Sequence, residues 1–303
     1  MRNTKRGARD GRKLVRTGAL ILVLLLLAFC YTPPGRAMWT EIKRACGLLP
    51  FAQSLPDADL TVYVIDVGKA DAILIETPEG AVLSDCATAE QARTVLRVLK
   101  QRNIQKLRAV WISHADSDHV GGLTQILREV PAEEVVSSMY TELTGLPEDQ
   151  TVRTVSAGET VSYGEAEFRV LAPLEDLEST NENSLVYKLC CKEFSMLFCG
   201  DIEEKAERLL LDIYGDALRA DVLKVGHHGS KSSSAAAFLD VVNPRIAVIQ
   251  VGRNNYGHPS PEILKRFTAR GILVFRNDLH GAIGLKFQGK NGIRVDTMRK
   301  VSA

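Results

Sequence analysis

The sequence predicts an α/β (α+β) domain over residues 59–303, on three observations. Strand-like apolar runs alternate with helical periodicity from Thr61 onward. Side chains capable of chemistry fall just after several of those runs, where a sheet scaffold commonly holds functional loops. A chain of 303 residues, 45% hydrophobic and 25% charged, is long enough for one large core plus an appendage.

The appendage comes first. Residues 1–16 carry Arg2, Lys5, Arg6, Arg9, Arg12, Lys13 and Arg16 against one acid, Asp10, and residues 17–31 are uncharged and Leu-rich. This order predicts a basic cytoplasmic segment (1–16) and a signal anchor or transmembrane helix (17–31). The apolar stretch is short against the roughly 17–25 residues of a spanning helix, but Leu14-Val15 extend it if Arg16 snorkels. Phe29 is too large for a lipobox, so an uncleaved anchor is expected, single-pass at the cell membrane with the domain extracytoplasmic. Secretion after signal cleavage is the alternative. Residues 32–58, with Pro33, Pro34, Gly35, Pro50 and Pro56, read as a linker.

Within the domain, Thr61–Val67, Ala72–Glu76 and Ala81–Ser84 read as strands, with Thr77-Pro78-Glu79-Gly80 as a turn. Thr88–Gln101 reads as an amphipathic helix, Ala109–Ile112 as a buried strand, and Leu123–Leu127 as the start of a helix. Further strands are expected at Phe168–Leu171, Leu185–Cys190, Ser195–Cys199, Val222–Val225, Ile246–Val251 and Ile272–Phe275. Further helices are expected at Ile202–Tyr214, Ser233–Val242 and Pro261–Ala269. The formal charge of +1 advertises no global field for nucleic acid, though a local basic groove is compatible with it. Of six cysteines none forms a CxxC pair, which argues against a thiolate zinc site, and Cys190, Cys191 and Cys199 suit buried free thiols.

The decisive stretch is His114-Ala115-Asp116-Ser117-Asp118-His119, followed by Gly121-Gly122. It lies on a strand-to-helix loop. Imidazole and carboxylate are ligands for a hard or borderline dication. A helix cap with solvated acids explains one Asp, but not two His framing two Asp.

This stretch resembles the HxHxDH signature of the metallo-β-lactamase fold, with Asp116 in place of the second His. The HxDxDH-GG form resembles the nuclease domain of ComEC-type DNA-uptake (competence) proteins. Asp66-Val67-Gly68-Lys69-Ala70-Asp71-Ala72, Phe198-Cys199-Gly200-Asp201, Lys224-Val225-Gly226-His227-His228-Gly229-Ser230 and Asn255-Tyr256-Gly257-His258-Pro259-Ser260-Pro261-Glu262 are similar to further motifs of that family, in the same order. Lys69-Ala70 stands where the family's opening motif has Gln-Gly, and Ser260 where it commonly has His. The resemblance implies an αββα four-layer sandwich and two divalent cations, zinc or manganese, sharing a hydroxide. Asp116 makes the site richer in oxygen, which favours manganese or magnesium without excluding zinc.

By the same resemblance, His114 and Asp116 face the first cation, Asp118 and His119 the second, and Asp201 bridges them. His258 is expected as the second cation's last ligand. One of His227 and His228 is a ligand or the general acid, with His227 expected inward as the first residue past its strand, and Asp118 joins this pair as catalytic. Asp85 braces the metal loop. Asn183 is a weak ligand, a substrate contact or a turn residue. Ser230 and Lys231 can cradle a phosphate. Asp66 and Asp71 read as turn formers, His280 as a loop residue, and Lys224, Lys231, Arg253 and Lys265 as a substrate path or plain surface.

The function implied is a membrane-anchored extracytoplasmic hydrolase of phosphodiesters, DNA above all, acting as a monomer beside a separate DNA-uptake channel. A surface phosphoester hydrolase of the phosphorylcholine or teichoic-acid type is the alternative. A non-catalytic metal-binding module of the same fold is the other.

Overall fold

The computed structural model describes Phe29, Thr32, Met38 and residues 59–289 and 292–299. The expected basic segment, and the anchor and linker apart from those three single residues, lie outside the described residues. No helix among the described residues is long and apolar enough to cross a membrane. The elements that carry the site all belong to the unit Phe51–Ala303.

Two sheets form the centre of this unit. The first contains β1 (Leu60–Val64), β2 (Ile73–Thr77), β3 (Gly80–Ser84), β4 (Leu107–Trp111), β5 (Ala132–Ser137), β6 (Val152–Thr154), β14 (Ile283–Phe287) and β15 (Ile293–Thr297), in the order β15-β14-β1-β2-β3-β4-β5-β6. The second contains β7 (Thr160–Tyr163), β8 (Ala166–Ala172), β9 (Val186–Cys191), β10 (Phe194–Phe198), β11 (Val222–Lys224), β12 (Ile246–Ile249) and β13 (Leu273–Arg276), in the order β13-β12-β11-β10-β9-β8-β7. Strands β3 to β6 are mutually parallel, as are β10 to β13. Parallel strands need long return connections, usually helical. Here these include α1 (Ala92–Gln101), α2 (Ser117–Val120), α3 (Leu123–Glu129), α4 (Glu204–Tyr214), α5 (Ala236–Val242) and α6 (Pro261–Ala269), with a one-turn α7 (Asn277–His280) after β13.

The period-2 alternation of the strands divides the apolar residues among three cores. Leu60, Val62 and Val64 of β1 face Phe168, Met196 and Val248 between the sheets. Tyr63, Leu74 and Val110 point to the other face, onto Val95 and Leu99 of α1 and Ile126 of α3. Leu197, Leu223 and Ala247 pack against Leu210, Phe238 and Phe267 of α4, α5 and α6. These layers are the αββα sandwich. Trp111, the last residue of β4, packs in tilted contact with both Phe168 and Tyr187, ring centres 4.9 Å apart, and its indole N–H donates to Tyr163 Oη at 3.2 Å. The loop that follows β4 therefore leaves from a rigid base.

The expected strands and helices are present with shifted ends, and five strands were not expected: β5, β6, β7, β14 and β15. Glu133 and Glu134 interrupt the apolar pattern of β5, and β6 has three residues. In β14, Gly284 and Lys286 weaken the local signal, yet the strand pairs with β1 and β15, and Lys286 reaches Asp296 at 3.2 Å. Pairing, more than propensity, makes these segments strands. Helix α4 starts at Glu204, two residues past the expected Ile202. Its first turn is capped by Glu182, whose carboxylate accepts the N–H groups of Glu203, Lys205 and Ala206 at 3.0–3.2 Å. The free thiols Cys86, Cys191 and Cys199 are buried and Cys190 is half-buried.

Candidate metal centre

The site lies where the C-terminal ends of β3, β4, β10, β11 and β12 meet. Such ends project loops whose side chains a sheet holds in place. Backbone hydrogen bonds stitch the loops together: Asp71 N–H donates to Asp118 O at 3.0 Å, Cys86 N–H to His119 O at 2.6 Å, and Gly122 N–H to Ala87 O at 3.0 Å. This packing explains Gly122, because a Cβ there would lie 2.2 Å from Cys86 O.

His114 and His119 are buried, and each has one nitrogen occupied. Asp85 accepts from the Ser113 N–H and hydroxyl at 2.8 Å each and lies 2.9 Å from His119 Nδ1. His114 Nδ1 is 3.0 Å from Ser113 Oγ and 3.3 Å from Ser184 Oγ. A ring nitrogen fixed in this way turns the other toward a ligand. Among the described residues, Nε2 of His114, His119 and His228, with Oδ1 of Asp201, is buried with no hydrogen-bond partner. Buried polar atoms are rarely left so. His119 Nε2 approaches Asp201 Oδ1 at 3.4 Å, and His228 Nε2 lies 3.4 Å from Asp118 Oδ2 and 3.7 Å from Asp201 Oδ2. Ligand atoms of His114, His119 and Asp201 lie within 4.8 Å of one another, as do those of Asp118, His119 and His228. The two donor sets overlap at His119, and together they form a His/Asp cluster of the kind that holds a divalent cation.

Asp116 caps α2 with its backbone but makes no side-chain capping bond. Its half-exposed carboxylate is 3.7 Å from His114 Nε2 instead. Asp201 is fixed by its N–H, which donates to Ser184 Oγ at 3.1 Å.

The histidine pair reverses the expected orientation. His227 and His228 both adopt left-handed backbone, with φ of 44° and 49°. Such conformations cost energy and cluster at functional sites. The turn rotates His228 inward, fully buried, with Nδ1 against Gln250 O at 2.9 Å. His227 stays at the rim, its Nδ1 2.8 Å from Glu203 Oε1 and its Nε2 3.9 Å from Asp201 Oδ2. His258 also stands at the rim, 5.5 Å from the His227 ring and 5.9 Å from the exposed Tyr256 ring. His228 is the imidazole grouped with Asp118 and His119, and His258 Nδ1 is itself buried with no hydrogen-bond partner.

Electrostatics follow from this crowding. Burial opposes charge on His228, but Asp201, Asp118 and Asp71 outweigh it and raise its pKa to about 9. The same contest holds His119 well above its ordinary value, through Asp201 and Asp85. Burial raises and the surrounding imidazoles lower Asp201, and the net result lies well below the usual carboxylate range. Burial lowers His258, and the proximity of His227, His228 and Lys69 acts in the same direction.

Several residues differ from expectation. Asp71, expected as a turn former, is buried, pairs with Lys224 Nζ at 2.6 Å, and lies 3.4 Å from His228 Nδ1. Lys224 is not surface but completely buried beneath the site. Asn183 points away: its Nδ2 donates to Asp176 and its Oδ1 accepts from Leu177 N–H, so it braces the 176–184 turn. Its neighbour Ser184 touches the site instead. Ser230 bonds Ser232, which bonds Glu203, while Lys231 is exposed. Lys69, seen in the sequence only as a departure from a motif, donates to Asp118 Oδ2 at 2.8 Å. Ser113, Ser184, Glu203 and Lys69 carried no separate sequence signal beyond adjacency to the motifs.

The model of the metallo-beta-lactamase superfamily matches residues 65–253. The chain is 30% identical over 293 residues to competence protein ComA of Neisseria gonorrhoeae, covering 92% of this chain and 40% of that protein. It is 29% identical over 262 residues to ComE operon protein 3 of Bacillus subtilis (strain 168), covering 76% and 33%. It thus spans less than half the length of these curated relatives. Among solved structures, a CmlA beta-hydroxylase E377D mutant superposes with a TM-score of 0.53 at 16% identity, over 77% of this chain and 55% of that one. With the sandwich, the histidine–aspartate loop and the match over most of the domain in agreement, the chain belongs to the metallo-beta-lactamase superfamily.

Proposed function

We propose that this chain is a binuclear metal-dependent hydrolase of phosphodiesters, with DNA as its substrate. One observation carries the reading: three imidazole nitrogens and a carboxylate oxygen, all buried and unpartnered, converge at the strand ends of two sheets. Similarity to competence proteins supports DNA over other phosphodiesters.

His114, Asp116 and Asp201 would hold one divalent cation, and Asp118, His119, Asp201 and His228 the other, zinc or manganese. Bound there, the cations supply Lewis acidity, neutralise charge on the phosphoryl group and acidify water. The protein supplies the rest. Asp85 and Asp71 hold His119 and His228 in place from behind. His227, oriented by Glu203 and open to solvent, is placed to protonate the leaving oxygen as general acid. His258 and the exposed Tyr256 ring flank the approach, where an aromatic face can stack a nucleobase.

Residues 17–31 would anchor the domain on the extracytoplasmic side of the cell membrane, beside a separate uptake channel, with the domain acting as a monomer. Purified chain with manganese or zinc is expected to cleave single-stranded DNA and an aryl phosphodiester. Asp118→Ala and His119→Ala are each expected to lower kcat about a thousandfold or more. Turnover of phosphorylcholine or teichoic-acid esters with DNA untouched replaces this substrate with a surface phosphoester. No turnover despite bound metal leaves a binding module.

A further inference from the structure

We propose that Lys69 is a built-in competitor for one of the two cation positions, so that the halves of the site load with unequal affinity. The inference rests on the reading of the cluster as a cation site. Lys69 Nζ lies 2.8 Å from Asp118 Oδ2, the same oxygen that faces His228 Nε2 at 3.4 Å. The ammonium therefore sits on a ligand atom of the Asp118, His119 and His228 group. The donors assigned to the other cation, His114, Asp116 and Asp201, have no lysine within ion-pairing distance among the described residues.

The loop gives Lys69 little freedom to move away. Gly68 and Gly252 approach so closely that a Cβ on Gly252 would lie 2.5 Å from Gly68 Cα. Asp71 N–H holds the same loop to Asp118 O at 3.0 Å, and the Lys69 ammonium lies 4.9 Å from the Tyr256 ring centre. About three quarters or more of both side chains is withdrawn from water, at 24% and 19% exposure, which weakens solvent screening of the charges. Here a dication must displace or endure a fixed positive charge. Displaced, the ammonium remains tethered at the mouth beside Tyr256, where an anionic substrate enters.

The test is calorimetric titration of the metal-freed full chain with manganese alone, repeated with zinc, with no substrate present. Wild type is expected to show one tight and one weaker class of binding. Lys69→Gln is expected to tighten the weaker class on the order of tenfold or more and leave the tight class unchanged. Lys69→Arg, which keeps the charge, should retain the wild-type pattern. Lys69→Met serves if Lys69→Gln melts below the wild type in the metal-free state. Two equal classes in wild type, or neutral variants that leave the weaker class unchanged or weaker still, overturn the proposal. A wild type that binds no cation overturns the metal site itself. DNA cleavage plays no part in the readout, so an incorrect substrate leaves the result interpretable.

Discussion

At the scale of single residues, the two adjacent histidines divide the labour by exposure. His228 is buried with its Nε2 unpartnered, while His227 is at the rim on Glu203. His228→Ala is therefore expected to lose one equivalent of bound metal by elemental analysis. His227→Ala should keep both equivalents and lose kcat by about a hundredfold or more, within the usual range for a general acid. The His227→Ala loss should shrink on aryl esters, whose leaving groups need no proton. Equal metal loss in the two variants would reject this division. The residues of the 114–119 loop were legible in the sequence because local spacing alone sets them on one turn. The orientation of the histidine pair was not, because it depends on two left-handed backbone angles and on the carbonyl of Gln250 from a different strand end. Lys224 misled for the same reason: its partner Asp71 is far away in sequence.

At the scale of elements, helix ends are tied by acids from neighbouring elements. Glu207 of α4 is buried and accepts the N–H groups of Ser234 and Ala235 at the start of α5. Burial pushes its pKa from 4.5 up to about 7, against the two N–H groups that lower it. Between those values the folded chain keeps a proton that the unfolded chain has released. Stability therefore falls as pH rises from about 4.5 to about 7, by roughly 3 kcal/mol from this group. Glu207→Gln, melted across pH 4.5–8, is expected to lose that part of the slope; a curve parallel to wild type refutes it. The Ser260-Pro261-Glu262 start of α6 was readable directly, since Ser260 Oγ accepts Glu262 N–H at 3.2 Å and Pro261 needs no partner. The carboxylates capping α4 and α5 were not readable, because each comes from another segment.

At the scale of the whole domain, the site is a seam. His114 to His119 come from the first sheet, and Asp201 and His228 from the second, so a cation bound to both sets cross-links the layers. Metal at a hundredfold excess over its Kd is expected to stabilise the fold by about 2.7 kcal/mol. That corresponds to roughly 5–10 °C in Tm for a domain of this size, reversed by a chelator and measured by calorimetry. A Tm indifferent to metal would mean that the donor sets are not both occupied.

The sequence by itself determined the layered α/β architecture, the metal-capable loop and the order of motifs. These are properties of local periodicity and short spacing, and local sterics fix them. Only the tertiary structure decided which histidine turns inward, which lysine is buried and which lies on Asp118, and which weak segments become strands β14 and β15. Those outcomes depend on partners tens to hundreds of residues away, which packing selects and local composition does not encode.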